Sequence, residues 1–265
     1  MSFRWQSLGL KRSRPDELIT QKLTKGCLLE KNNQQAEQFS QNQSDWFADG
    51  VYFYNLLAKM LQDLPDEETY AWYESLLEED ILSDQIFNGD NADITKGLKL
   101  IKSWLYGYQK DSSTGLEKIN IDHTRLFLGV GKPLAPPWES VYFDEGGRLF
   151  QKETFDVRAW FRKYNLQIDK FHNEPDDHLG FELAFLGYLC ARCLSALERD
   201  DEAEFQHLME DQKEFFIQHP AKWIPSWYDR MQQNAQTDFF IGLALLVKGG
   251  MSELAAIHDL EFLSD

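Results

Sequence analysis

Cysteine is scarce in this chain. Three in 265 residues, an odd number, do not form a disulfide framework. A secretory signal is missing as well, because residues 1 to 30 contain no apolar core of the kind a signal peptide needs. No run approaches the eighteen apolar residues of a membrane span. From these three absences a cytoplasmic chain is expected. Positive charge is also in deficit: 27 Lys and Arg stand against 44 Asp and Glu, a net of −17. Such a body repels nucleic acid, whose binding rests on neutralising phosphates, and steers basic peptides toward itself. The deficit is uneven. Residues 1 to 42 carry seven Lys and Arg against four Asp and Glu, a net of +3, which leaves a net of −20 on the remainder. There is no alternation of strand and helix patterns and no internal repeat.

Aromatic residues, by contrast, are plentiful. Eight Trp, ten Tyr and nineteen Phe favour a packed globule, and the length suits one large core. Apolar positions recur at helical spacing almost throughout. A run with Trp46, Phe47, Val51, Phe53, Tyr54, Leu57, Met60 and Leu61 opens at Ser44 or Asp45 and stops before Pro65. Shorter helices are expected near 67–78 and 80–87. Asn91 or Asp93 caps the next, with Leu98, Ile101, Trp104, Leu105 and Tyr108 on one face. Another run spans 115–128, and a short helix spans 154–165. Later helices are expected near 200–218, 221–233, 236–247 and 250–262, the last two separated by Gly249-Gly250. The reading is all-α: a single helical-bundle domain of about ten helices. Residues 1–43 form a polar N-terminal extension and residues 44–265 the helical domain. Within the extension, residues 31–43 are low in complexity and rich in Asn and Gln.

The most informative stretch is Asn173-Glu174-Pro175-Asp176-Asp177-His178-Leu179-Gly180-Phe181-Glu182-Leu183. Glu174 or Asn173 is read as the cap, Pro175 as a first-turn residue, and Asp176 and Asp177 as acids favoured by the helix dipole. The segment that follows, to Leu197, is apolar on nearly every face and is expected to be a central buried helix. His178 and Glu182 are four apart, so Glu182 is placed to fix the imidazole tautomer and raise its pKa. Asp122 and His123 are the other candidates to converge with Asp177 and His178. Within the apolar helix, Cys190 and Cys193 form a C-x-x-C. No second such pair exists to complete a zinc site, so both are read as packing residues.

A second stretch, from Asp122 to Tyr142, ends a helical run at Gly129 and continues as a loop stiffened by Pro133, Pro136 and Pro137. Gly131-Lys132 is not a phosphate loop, because Leu126 and Pro133 stand where that pattern needs glycine and Ser or Thr. Val141-Tyr142-Phe143 and Leu149-Phe150 flank Asp144 to Gly147, a small hairpin or a plain turn.

Taken in order, the TRLFLG helix end (124–129), the APPWESVY loop (135–142) and the EPDDHLGFELAFL helix start (174–186) resemble the TorD/DmsD/NarJ family of redox-enzyme maturation chaperones, the TorD and DmsD branches most of all. The resemblance covers roughly residues 44 to 262. It implies an all-helical, non-enzymatic protein that binds the twin-arginine leader of a molybdoenzyme precursor until cofactor is loaded. It further implies a monomer or a helix-swapped dimer. On that analogy Glu174, Asp177 and His178 match the leader-binding motif. Trp138, Glu139 and Tyr142 fall in the matching loop, with Asp122 and His123 beside them. No motif supports direct contact with nucleotide or molybdenum cofactor, and no cofactor or metal is expected. Lys11, Arg12 and Arg14 lie among Leu8, Leu10 and Pro15. They lack the adjacent arginines and apolar core of a leader. Two other readings stand beside the chaperone: a helical adaptor for an unrelated client, and an acid–base hydrolase using Asp122, His123, Asp177 and His178. The hydrolase lacks a nucleophile in a recognisable setting.

Overall fold

The computed structural model describes residues 27–62, 66–78, 86–108, 112–129, 131–168 and 174–263. Among them are ten α-helices and no strand: α1 (Cys27–Gln62), α2 (Glu67–Glu78), α3 (Ala92–Tyr108), α4 (Ser112–His123), α5 (Ser140–Phe143), α6 (Lys152–Lys163), α7 (Leu179–Glu198), α8 (Glu202–Gln218), α9 (Pro220–Asn234) and α10 (Asp238–Ile257). The all-α expectation holds.

Local chemistry sets most of the boundaries. Asn91 Oδ1 accepts from the backbone N–H of Asp93 and Ile94, both at 3.1 Å, and so opens α3. Asp66 does the same for α2 and Asp201 for α8. At the other ends, α6, α7 and α10 stop where Asn165, Asp200 and Asp259 take positive φ. The next residue's N–H then reaches back to a carbonyl five residues earlier. Asn and Asp tolerate the left-handed region best after glycine, which is why the helices end there without one.

Two antiparallel helix pairs build the core. Along α1 and α7, Gly50 faces Cys190, Gly187 faces Asn55, and Gly180 faces Gln62 and the Ala58 carbonyl. A Cβ added at any of the three glycines would come within 2.8 Å of its neighbour, so the helices approach through missing side chains. Along α3 and α10 the nearest neighbour is the facing backbone itself. Gly97 and Gly242 would each drive a Cβ to 2.8 Å from the other's carbonyl oxygen.

Several boundaries differ from the sequence reading. α1 begins at Cys27, inside the segment read as polar extension, and passes Ser44 without a break. Residues 79–85 lie outside the described residues, and Ile86–Gly89 is a 3-10 turn rather than part of a helix. Residues 1–26, with Lys11, Arg12 and Arg14, also lie outside them. The run to Leu128 widens into a π turn over Thr124–Leu128. Asp144 to Gly147 is a plain turn closed by a Gly147 N–H to Asp144 carbonyl bond of 2.9 Å. Gly249-Gly250 does not separate two helices but lies inside α10. A Cβ there would meet Ile94 or Phe53 at 2.5 Å, so packing against α3 and α1 demands glycine. Finally, α7 and α10 are long and apolar enough to cross a membrane by composition, contrary to the expectation from the sequence. In this fold 72% of each such window is buried, as core helices are.

Candidate functional site

The proline loop is tied to the chain before α7 as if the two were short strands. Glu139 N–H donates to the Asp177 carbonyl at 3.0 Å and Leu179 N–H to the Pro137 carbonyl at 2.8 Å. Trp138 and His178 are thereby paired in an antiparallel bridge, with their rings edge to face at 5.5 Å. The other end of the loop folds back on the π turn through Ala135 N–H to the Leu126 carbonyl, 2.8 Å.

The bridge delays the start of α7. The helix begins at Leu179, and its cap is His178, whose Nδ1 accepts from the Gly180 N–H at 3.0 Å. Glu174, half-buried, is not the cap, and Asn173 lies outside the described residues. Pro175, Asp176 and Asp177 precede the helix rather than forming its first turn. The bond to Gly180 leaves His178 neutral with its proton on Nε2. Burial, aided by His123 nearby, lowers its pKa to about 3, the reverse of the increase expected from Glu182. Glu182 turns elsewhere, accepting from Trp223 Nε1 at 3.1 Å.

The acidic residues read as the first turn of this helix are inside the protein. Asp177 is 0% exposed. Its Oδ2 accepts from the Ser140 N–H at 2.7 Å, capping α5, and its Oδ1 from Thr154 Oγ1 on α6 at 2.6 Å. Asp176 takes both Nε and Nη2 of buried Arg158, at 3.0 and 2.6 Å. Glu139, also buried, meets His219 Nδ1 at 2.8 Å where α8 gives way to α9. Tyr142 donates to the Pro136 carbonyl at 3.0 Å, and its ring lies between Trp223, 5.2 Å away, and the Arg230 guanidinium, 4.4 Å away.

Two carboxyls share this interior. Burial pushes both Glu182 and Glu139 above the usual carboxylate range; the Glu139 charge adds to the effect on Glu182, whereas His219 opposes the shift of Glu139. Among the described residues no group donates to Glu182 Oε1. A proton held there converts it into a donor toward Glu139. Charges buried so deeply are tolerated only when paired or neutralised, and both devices are present.

Asp122 and His123 lie beside this joint without entering it. Asp122 Oδ2 accepts from Gln236 N–H, Thr237 N–H and Thr237 Oγ1, at 2.8 to 2.9 Å, and so closes the start of α10. Its Oδ1 pairs with Arg125 at 3.0 Å. His123 packs edge-on against Phe127 at 5.2 Å, and burial lowers its pKa to about 4.

Beside the joint, an open cavity of about 380 Å³ is walled by Pro133, Pro136, Trp138, Val141 and Leu149, with Lys132 and three glycines. Apolar clefts of this size with few polar groups are ordinary ligand sites. None of Asp122, His123, Asp177 and His178 lines it, so the four groups an acid–base hydrolase would need do not face one reaction space. Among the described residues no group of three His, Cys, Asp or Glu is placed to hold a metal. Cys190 and Cys193 are buried, and burial raises both thiols, Cys193 to about 12. The sequence reading missed Thr154, His219 and Trp223. Its one available signal was Glu182, a carboxylate in an otherwise apolar helix, which requires a buried partner.

Residues 88–229, which contain every member of this joint, match the family described as nitrate reductase delta subunit. Over 216 residues the chain is 28% identical to the chaperone protein TorD of Aliivibrio fischeri, covering 82% of this chain and 90% of that one. It is 29% identical over 171 residues to the chaperone protein TorD of Aliivibrio salmonicida, covering 60% of this chain and 78% of that one. Among solved structures, a candidate redox enzyme maturation protein from Archaeoglobus fulgidus overlays with a TM-score of 0.42 at 18% identity, covering 74% of this chain and 90% of its own.

Proposed function

Because the chain belongs to the nitrate reductase delta-subunit family, in which the TorD and NarJ maturation chaperones fall, we infer that it is a cytoplasmic chaperone for a molybdoenzyme precursor. It binds the precursor's twin-arginine leader and holds it while cofactor is inserted. The family is one of maturation proteins rather than enzymes.

The observation that carries this reading is the proline loop fastened across the mouth of α7. Fastening fixes an apolar cavity at the surface, where a leader's apolar run gains affinity by leaving water, at about 25 cal/mol per Å² before the costs of association. Within the site, Trp138 and Tyr142 are partly exposed and offer ring surface to the leader, and Glu174, ahead of the bridge, is half-buried. Glu139, Asp177 and His178 hold the loop in place, and Asp122 and His123 brace the same region from α4. These five act on the leader through the geometry they maintain.

Calorimetry of the full chain with a synthetic twin-arginine leader peptide tests the function. Saturable binding is expected, with a weaker isotherm for a peptide whose apolar run is replaced by serine. No heat with the leader at any concentration, and no leader-bearing precursor co-purifying from the native cell, would overturn it.

A further inference from the structure

The buried carboxylates leave a question about the leader's arginines. Asp176 and Asp177 are at most 1% exposed; Arg158 already holds Asp176 Oδ2, and Ser140 and Thr154 hold both oxygens of Asp177. An incoming guanidinium has no route to them without dismantling the joint. The carboxylate that recognises arginine must therefore lie elsewhere on the rim of the cavity.

Four of the large apolar side chains that stay exposed come from the segment that builds this cavity: Leu128 at 57%, Leu134 at 38%, Phe143 at 47% and Phe150 at 40%. The turn over Asp144 to Gly147 lies among them, with Gly146 and Gly147 in the cavity wall. Asp144 is occupied, since Arg148 donates to it from Nη2 at 2.7 Å and from its backbone at 2.9 Å. Glu145, the next residue, is exposed, and its side chain makes no hydrogen bond or ion pair among the described residues. The one charged side chain in the cavity wall is a cation, Lys132. A guanidinium is repelled from the cavity itself and attracted to its lip.

We propose that the leader docks with its apolar run in the cavity between Trp138, Val141 and Leu149, and that Glu145 pairs with a leader arginine at the lip. Lys132 then sets the direction of the peptide by keeping arginine out of the cavity. This assignment rests on the leader-binding reading above and adds to it which residues distinguish a twin-arginine leader from any apolar peptide. Specificity comes from an exposed rim carboxylate, and affinity from the cavity.

The test measures four full-length proteins against two peptides by calorimetry at low ionic strength, where rim charges act most strongly. The proteins are wild type, Glu145→Lys, Leu149→Trp and the control Glu210→Lys, which makes the same charge change at an exposed site on α8. The peptides are the leader and a version with both arginines replaced by glutamine. Glu145→Lys is expected to weaken the arginine peptide by about tenfold, as rim charge reversals do, and to change the glutamine peptide by less than about twofold. Leu149→Trp fills the cavity and weakens both peptides alike. If its melting shows misfolding, Val141→Phe replaces it. The proposal is overturned if Glu145→Lys behaves like Glu210→Lys, if it weakens both peptides equally, or if the filled cavity binds as wild type does. Wild-type protein that binds neither peptide would instead overturn the leader-binding reading itself.

Discussion

Helices α7 and α10 are both twenty residues long and mostly apolar, and both are set into the core. Their N-terminal mouths are built for different purposes. At α10, Asp122 reaches across more than a hundred residues of sequence and takes three donors, all from the segment that starts that helix. It fixes the capping residue, Thr237, from a distance. At α7 the cap is His178, and Asp177 beside it turns its oxygens away from its own helix, to α5 and α6. One carboxylate completes a helix. The other joins three elements and the loop between them. A buried acid beside a helix start therefore has two fates, and neighbouring donors decide between them: Asp122 holds the backbone that leads into α10, and Asp177 takes the N–H that opens α5.

The largest effect is expected where the joint is cut. Asp177→Ala leaves buried donors unpaired on two elements, and a loss of about 3–5 kcal/mol is expected, the usual cost of breaking a buried charged contact. Hydrogen exchange should quicken over residues 131–149. Asp122→Ala should also destabilise, with faster exchange confined to the start of α10. If both variants open the same region, the two mouths are not distinct.

Matched truncations sharpen the comparison from the other side. Leu183 on α7 and Leu243 on α10 are both 0% exposed. Replacing either with alanine should cost about 2–5 kcal/mol in denaturant unfolding. Similar losses would show that the rods are equivalent as core and that only their mouths differ. A negligible loss at Leu183 would contradict its central position.

A smaller effect, with a defined sign, separates the joint from the rest by pH. Glu139 and Glu182 titrate above the ordinary 4.5, so the native state keeps protons that the unfolded chain releases. Stability from this source is full below about pH 4.5 and is lost as pH rises through the folded values. His123, His178 and His258 act in the opposite sense. Their folded values, about 4, 3 and 4, lie below 6.5, so their contribution is full above pH 6.5 and is lost as pH falls. Glu182→Gln keeps an acceptor for Trp223 and supplies a permanent donor toward Glu139. It should raise the melting temperature relative to wild type at pH 8, and the gain should shrink toward pH 5. A gain independent of pH would mean that Glu182 carries no shared proton. Smallest of all, thiol reagent on native protein should leave Cys190 and Cys193 unmodified, because both are buried and un-ionised. Rapid modification would show α7 opening more readily than its packing allows.

What the sequence could convey depended on distance along the chain. The apolar period of α7, the Asn91 cap and the stop before Pro65 are local signals, and each was readable. The acids ahead of α7 carried a local signal that misled, since Pro-Asp-Asp looks like a first helical turn. The chain instead pairs with the proline loop, a contact set by tertiary structure. Gly249-Gly250 misled in the same way: a glycine pair marks a break in an isolated helix, whereas here each one admits a neighbour too close for a Cβ. The contact between Glu139 and His219 spans 80 residues, and no periodicity encodes it. Glu145 gave no sign at all, because an unpaired acid in a glycine turn is ordinary until an apolar cavity is found beside it.

The bond from Tyr54 Oη to the Gly250 carbonyl, 2.8 Å long, spans 196 residues. A ribosome adding about 5–20 residues per second takes roughly 10–40 s to travel that stretch. Until α10 emerges, the surfaces of α1, and then of α3 once it is made, that α10 will cover stay bare on the nascent chain. On a crowded polysome the nearest matching helix can belong to a neighbouring copy, and exchange of such an element is a low-cost route to a dimer. Synthesis order thus makes α10 the last helix to close the core, and slower translation of residues 238–257 should lengthen the time before the new chain resists protease.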